Sequence, residues 1–427
     1  MKILLSAYAC KPGEGSEPGI GWGWVQQLLL NNHEVWVITP RRNRRAIEEK
    51  LAITPLEKAH FIYFDLPRLI GWSSISRIWP FKFGEHLFWQ IWHYPYHYFW
   101  QLFAYKNVKH IVSAEKIDVV HHVTYATLAR SSFMGELGIP FILGPVGGGE
   151  RAPFRIRKFM SVRGWLLELV RDISILVGMA NPFIWRGYSK ASIIYATTWQ
   201  SKMIVPKRYR NKVVIKSQLG IDDSTLSTID SVNRSDVGPI RFLYVGRFIY
   251  WKGIELGLRA FAELCKELDN VEMTLIGRGP DEQKLREFAE RLGVSRNINW
   301  KSWVKQSELK SIYLNHDVFL FPSLHDSGGL AVIEAMANYL PVICLGLGGP
   351  ATSVNNNCGT IVDADEKDPD EIVDELFQAM RDIVANKDKR IRLSLGAYKR
   401  AKEFRWPAVI SDINYDTIIN SVDRLSS

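Results

Sequence analysis

The chain has 427 residues, 47% hydrophobic and 23% charged, with a formal net charge of +9. That length favours two hydrophobic cores, and the composition is that of a folded globular protein, which excludes a disordered or fibrous chain. Cys10, Cys265, Cys344 and Cys358 are scattered without CxxC spacing, which fits reduced cytosolic thiols and excludes a disulfide framework or a zinc ribbon.

In chain order, Lys2 to Ala7 reads as a short apolar strand. The start MKILLSAYAC is too short and too strand-like for a signal peptide. Residues 11–24, KPGEGSEPGIGWGW, form a Gly-rich loop entering a helix that continues to Leu30, and Val35 to Thr39 is a second strand. The loop is a candidate phosphate or sugar cradle, but GxGxxG is absent from the strand–helix turn, so it is no dinucleotide fingerprint. Ile117 to Val120 reads as a third strand ending in His121 and His122, and Pro140 to Leu143 as a fourth ending in the run Gly144 to Arg151. Groups at strand ends face the ligand crevice of a doubly wound sheet. A histidine pair is more often structural than catalytic, and the sequence leaves open which imidazole points inward.

Trp72 to Tyr105 holds 14 aromatic residues, five of them Trp, together with His86, His93 and His97. Rings with polar edges suit a membrane interface, and they equally suit a core or a dimer contact. Without an accompanying carboxylate the three histidines give no metal site. Charge is divided along the chain: residues 1–220 carry 29 Lys and Arg against 14 Asp and Glu, and the remainder 25 against 31. The basic half, densest at Arg41 to Arg45 and Arg151 to Lys158, favours a phosphorylated acceptor or peripheral contact with an anionic membrane. No nucleic-acid module accompanies it, so nucleic acid is not an expected partner. No apolar run is long enough to span a bilayer. The expected location is cytoplasmic, extending to the inner face of the membrane.

A polar stretch, Ile221 to Gly238, marks a domain boundary. Ile240 to Val245 is an apolar strand followed by Gly246 and Arg247, then Lys252 and Gly253, then an amphipathic helix from Ile254 to Leu268. An Arg fork, a Lys point charge and a helix N-terminus beside one loop suit a diphosphate. Met273 to Ile276 is a strand ending in Gly277-Arg278-Gly279-Pro280, before a helix over Asp281 to Leu292. Val318 to Phe321 is a buried strand. It leads through Ser323 to Gly329 into a helix from Leu330 to Tyr339. Asp326 precedes that helix and Glu334 lies eight residues later, so two carboxylates bracket a helix start at the carboxyl end of the strands. The bland alternative is an N-cap and a solvated helix residue.

Taken together, Val245 to Arg247 with Lys252-Gly253, Ile276 to Pro280, the strand Ile298 to Val304 and the D-x7-E stretch from Asp326 to Ala337 resemble the retaining family 4 glycosyltransferases (glycosyl transferases group 1). The resemblance covers most of Ile240 to Val362. It implies an α/β GT-B fold: two Rossmann-like, doubly wound parallel-sheet domains facing a central cleft. These would be an acceptor-binding domain over 1–220, a donor-binding domain over 221–400 and a C-terminal helix over 401–427 packing back on the first.

By resemblance, Arg247 and Lys252 hold the donor diphosphate, Glu334 binds the ribose, and Gly328, Gly329 and Leu330 present backbone N–H groups. Gly246, Gly277 and Val304 line the donor site, with Gly19 reaching it from the first domain. Asp326 stands where the family usually has the first Glu of E-x7-E and contacts the donor sugar; the shorter carboxylate leaves the donor sugar open. The catalytic set so implied is Asp326, Arg247, Lys252 and His121, the last because DVxH strand ends are common near the sugar. His122, Arg151 and Gly148 fall on the acceptor side. Thr352 occupies the Glu position of the family's GGxxE, Ser302 the usual Gly, and Gln218 to Asp222 the PNGID-like stretch.

The implied reaction moves a hexose-type sugar from a nucleotide diphosphate sugar to a saccharide or lipid-linked saccharide, in polysaccharide or glycoconjugate synthesis. No metal or other cofactor is expected, since Arg247, Lys252 and helix N-termini supply the positive charge. The alternatives are a noncatalytic nucleotide-sugar or lipid-binding protein and a sugar-nucleotide epimerase on the same fold.

Overall fold

The computed structural model describes residues 1–67, 85–128, 130, 132–229, 238–302, 304–411 and 413–419. It contains two compact units. One comprises Met1–Gly149, Ile173–Gln218 and Val409–Ser427, the other Glu150–Asp172 and Leu219–Ala408. Among the described residues, no helix is long and apolar enough to cross a membrane.

The first unit is built on seven parallel strands: β1 (Lys2–Ala7), β2 (Glu34–Thr39), β3 (Ala59–Tyr63), β4 (Val119–Thr124), β5 (Phe141–Val146), β6 (Ile193–Ala196) and β7 (Val213–Ile215). Their order is β3-β2-β1-β4-β5-β6-β7. Strand order reverses between β1 and β4, so the crevice outside their carboxyl ends is this sheet's natural ligand site. Both faces of such a sheet are covered, which is why its strands read as apolar runs. Leu4, Val120, Phe141, Leu143 and Ile194 join Trp100, Ala104 and Val108 in one buried cluster.

Two features differ from the sequence expectation. Strand β4 does not stop before the histidines: it runs to Thr124, with Leu5 opposite His121 and Ser6 opposite His122. Both rings are buried and fully hydrogen-bonded, so they occupy interior positions that an apolar pattern alone does not mark. The Gly-rich segment is mostly helix, beginning at Ser16. A Cβ on Gly19 would stand 2.1 Å from the Glu14 carbonyl, so the close approach of loop and helix requires glycine there.

The aromatic stretch lies largely outside the described side chains. Within its described part, His97, Trp100 and Gln101 are fully buried in the first unit.

The second unit carries six parallel strands: β8 (Ile240–Val245), β9 (Val271–Ile276), β10 (Ile298–Lys301), β11 (Val318–Phe321), β12 (Val342–Leu345) and β13 (Gly359–Val362). Their order is β10-β9-β8-β11-β12-β13. The switch point falls between β8 and β11. Helix Ile254–Glu267 turns Leu256, Leu258, Phe261 and Leu264 inward, matching its helical apolar spacing. β10 ends at Lys301, three residues before the predicted end at Val304. Helix Leu330–Ala337 also stops short of its predicted end.

Candidate functional site

In the second unit the loops after β8 and β11 meet at the switch point. After β8, Gly246-Arg247 leads to a tight turn over Tyr250–Lys252 and to Gly253, which has φ +63° and opens helix Ile254–Glu267. A Cβ on Gly253 would stand 1.9 Å from the Pro322 carbonyl, so a side chain there would force the two loops apart. Leu324 N–H donates to the Trp251 carbonyl at 2.8 Å, tying the same loops by backbone.

Across this junction Lys252 Nζ donates to Asp326 Oδ2. Both side chains are mostly buried. The ammonium also lies 4.8 Å from the centre of the Phe321 ring, a cation–π contact from the end of β11. The Asp326 carbonyl accepts from Gly349 N–H at 2.6 Å, so Asp326 is fixed at both side chain and backbone. Arg247 is exposed, and among the described residues its guanidinium has no partner.

Gly329, with φ +79°, opens helix Leu330–Ala337, and Gly328 packs on Leu219. Glu334 lies on the second turn and is half-buried. The Tyr313 hydroxyl donates to its Oε2 at 3.2 Å. Burial, then the Glu334 charge, push the Tyr313 hydroxyl well above its ordinary pKa, so it remains a donor. Gly277 follows β9, where a Cβ would stand 1.8 Å from the Gly246 carbonyl. Val304 is half-buried beyond β10. Thr352, at the position of the family's Glu, donates back to the Gly348 carbonyl at 3.2 Å.

Sequence reasoning missed a buried polar cluster behind these loops. His325 Nε2–H donates to Glu168 Oε1 at 2.7 Å, and the Tyr250 hydroxyl donates to the same oxygen at 2.9 Å. Arg157 lies 3.5 Å from the other oxygen. Burial alone would raise the Glu168 pKa, but the bonds from His325 and Tyr250 override it and hold the carboxylate charged, at about 2. His325 stacks on Trp251, centroids 5.5 Å apart. Ser327 donates to the buried Glu150 at 2.6 Å. The sequence signal was a single acid, Glu168, in an otherwise apolar helical run.

In the first unit, His121 and His122 have both ring nitrogens engaged. For His121, Nε2–H donates to the Gly144 carbonyl and Nδ1 accepts from the Tyr415 hydroxyl, each at 2.8 Å. For His122, Nε2–H donates to the Thr124 carbonyl at 3.1 Å and Nδ1 accepts from Ser132 at 2.8 Å. Gly148, with φ +92°, belongs to the same unit. Arg151 belongs to the second, 3.6 Å from Asp172. The residues that do lie beyond β1 and β4 are Tyr8 and Tyr125. Arg42 stands 4.6 Å over the Tyr8 ring and Arg130 4.9 Å over the Tyr125 ring. Glu17 accepts from Tyr125 N–H at 3.2 Å. Among the described residues, no cluster of His, Cys, Asp or Glu is arranged to hold a metal ion.

Residues 227–400 match the family model described as glycosyl transferases group 1. The chain is 32% identical to a D-inositol 3-phosphate glycosyltransferase of Corynebacterium urealyticum, over 38% of this chain and 39% of that protein. It spans well under half the length of the curated relatives it first matches. Sucrose-phosphate synthase from Thermosynechococcus elongatus superposes with a TM-score of 0.59 at 15% identity, over 100% of this chain and 98% of the other. HepE of Anabaena, solved in complex with UDP-glucose, gives 0.56 at 14% identity, over 99% and 100%. These likenesses carry the fold, two Rossmann-like parallel-sheet domains of the GT-B type, and the match to the glycosyl transferases group 1 model lies in residues 227–400.

Proposed function

We propose that the protein is a retaining glycosyltransferase that moves a hexose-type sugar from a nucleotide diphosphate sugar to a saccharide or lipid-linked saccharide. The observation that carries this reading is the junction at the β8–β11 switch point. There the Lys252–Asp326 pair ties the loop after β8, which also carries the exposed Arg247, to the loop after β11, which leads to the Gly329 helix start and to Glu334 on that helix.

In this reading Arg247 and Lys252 meet the diphosphate, and their charge grows in value as the leaving group gains negative charge. Positive charge from these side chains takes the part a divalent ion would play, so no metal is included. Backbone N–H groups at the start of helix Leu330–Ala337 add partial positive charge. Asp326 accepts from sugar hydroxyls and orients the donor, while Glu334 accepts from the ribose. The acceptor is assigned to the first unit, where Arg42 and Arg130 suit an anionic group on it. HepE, with UDP-glucose in its structure, makes uridine the first base to test.

The test is a thermal-shift screen against UDP, GDP, ADP and their sugar conjugates, with and without EDTA. A ligand at 100 times its Kd stabilises the folded state by about 2.7 kcal/mol. A selective upward shift by one nucleotide, unaltered by EDTA, is expected. No shift with any nucleotide would remove the donor-site assignment, and a shift abolished by EDTA would require a metal.

A further inference from the structure

The helix Val162–Ala180 begins with its amphipathicity reversed. Its inward face is small or polar: Gly164 packs on the Tyr250 ring, and Glu168 is fully buried against His325 and Tyr250. Its outward face is apolar. Val162, Trp165, Leu166, Leu169 and Val170 are between 39% and 78% exposed. Their spacing of i, i+3, i+4, i+7 and i+8 forms one stripe. On the approach to the helix, Phe154 and Phe159 are also exposed. The orientation is set by Glu168, because a carboxylate with three partners inside the unit cannot turn outward without leaving those partners unpaired. A contiguous exposed apolar face of this kind marks a surface that something covers.

Charge indicates what covers it. From Phe154 to Leu167 the sequence holds Arg155, Arg157, Lys158 and Arg163 and no acid. Arg157 turns inward onto Asp172 and Glu168, and the other three are exposed. Exposed cations beside exposed Trp and Phe fit the boundary layer of an anionic bilayer, with rings among the acyl chains and cations on the headgroups. A twofold contact with a second copy would set the same three cations against one another.

We propose that this face, Phe154 to Val170, is a docking surface for an anionic lipid bilayer. The proposal does not rest on the transferase reading. It is tested by flotation of the full chain with vesicles of phosphatidylcholine alone or mixed with phosphatidylglycerol. The wild type should float with the mixed vesicles and not with the neutral ones. Leu166→Glu with Val170→Glu should abolish flotation while leaving the melting temperature unaltered, since both side chains are exposed. Lys158→Ala and Arg163→Ala should each weaken binding about fivefold. If the glutamate pair does not fold, Phe154→Ser with Phe159→Ser gives the same readout from a separate segment. The proposal is overturned if the wild type does not float, or if the glutamate pair floats like the wild type. It is also overturned if light scattering shows a wild-type dimer that the glutamate pair splits, because a second copy then covers the face.

Discussion

The Lys252 ammonium pairs with the Asp326 carboxylate beside the Phe321 ring, joining the loop after β8 to the loop after β11. One contact therefore sets both the cation proposed for the diphosphate and the carboxylate proposed for the sugar. Neither side chain has to be ordered when a ligand arrives, which lowers the entropic cost of binding.

Removing either cation should separate catalysis from stability. Arg247→Ala, at an exposed position, should alter stability by no more than about 0.5 kcal/mol. It should nevertheless lower turnover about 100-fold, the usual scale for one lost transition-state donor. Lys252→Ala should lower turnover similarly and also cost about 1–3 kcal/mol, because Asp326 keeps a mostly buried charge without its partner. Urea melts and steady-state rates on both variants check this; full turnover in Arg247→Ala would sink the assignment.

Glu334 is expected to act on the nucleotide through the ribose. Glu334→Gln keeps an acceptor for Tyr313 and should fold normally, while weakening nucleoside diphosphate binding about 10- to 100-fold. Calorimetry with the best-binding nucleotide and its 2′,3′-dideoxy analogue isolates the effect. The wild type should prefer the hydroxylated ligand, and the variant should lose most of that preference. An equal preference in both proteins would place the ribose elsewhere.

Gly348 has φ +63°, and a Cβ there would stand 2.4 Å from the Asp326 carbonyl. Gly348→Ala should cost about 1–2 kcal/mol for the left-handed backbone alone. It should also displace the Asp326 loop, so nucleotide-sugar affinity should fall along with stability. A variant destabilised but binding donor normally would show that the loop tolerates the displacement.

Acid should destabilise the first unit. Burial pushes the His121 imidazole down to about 3 and that of His122 to about 4. The unfolded chain protonates both near 6.5. Between pH 6.5 and 4 the unfolded state binds more protons, so stability falls as pH falls. Each histidine contributes at most about 1.4 kcal/mol per pH unit. Urea midpoints should decline over this range, and His122→Asn should reduce proton uptake on unfolding by about one. An unchanged slope would assign the acid sensitivity to other groups.

Much of the second unit was legible because its signals are local. β8 is an apolar run broken only by Arg241 and β11 a continuous one, their loops carry Gly246-Arg247 and Asp326 to Gly329, and the helices that follow keep helical spacing. The first unit was less legible. β4 places two histidines inside a buried strand, where hydrogen bonding replaces apolarity and leaves no mark in a hydrophobic pattern. The reversed helix defeated the ordinary rule that apolar faces turn inward, because the partners of Glu168 come from other parts of the chain.

By itself, then, the sequence determined the strands that flank the glycine loops, those turns and the D-x7-E spacing, since these depend on backbone sterics and on residues within one or two turns, while β3, β6, β7, β12 and β13 were not read from it. Only tertiary structure decided which side chains meet. Lys252 and Asp326 are 74 positions apart, Glu168 and His325 157, and His121 and Tyr415 294. Such pairs form because sheet order and crossover connections bring loops and helices together, and no local propensity encodes that closure.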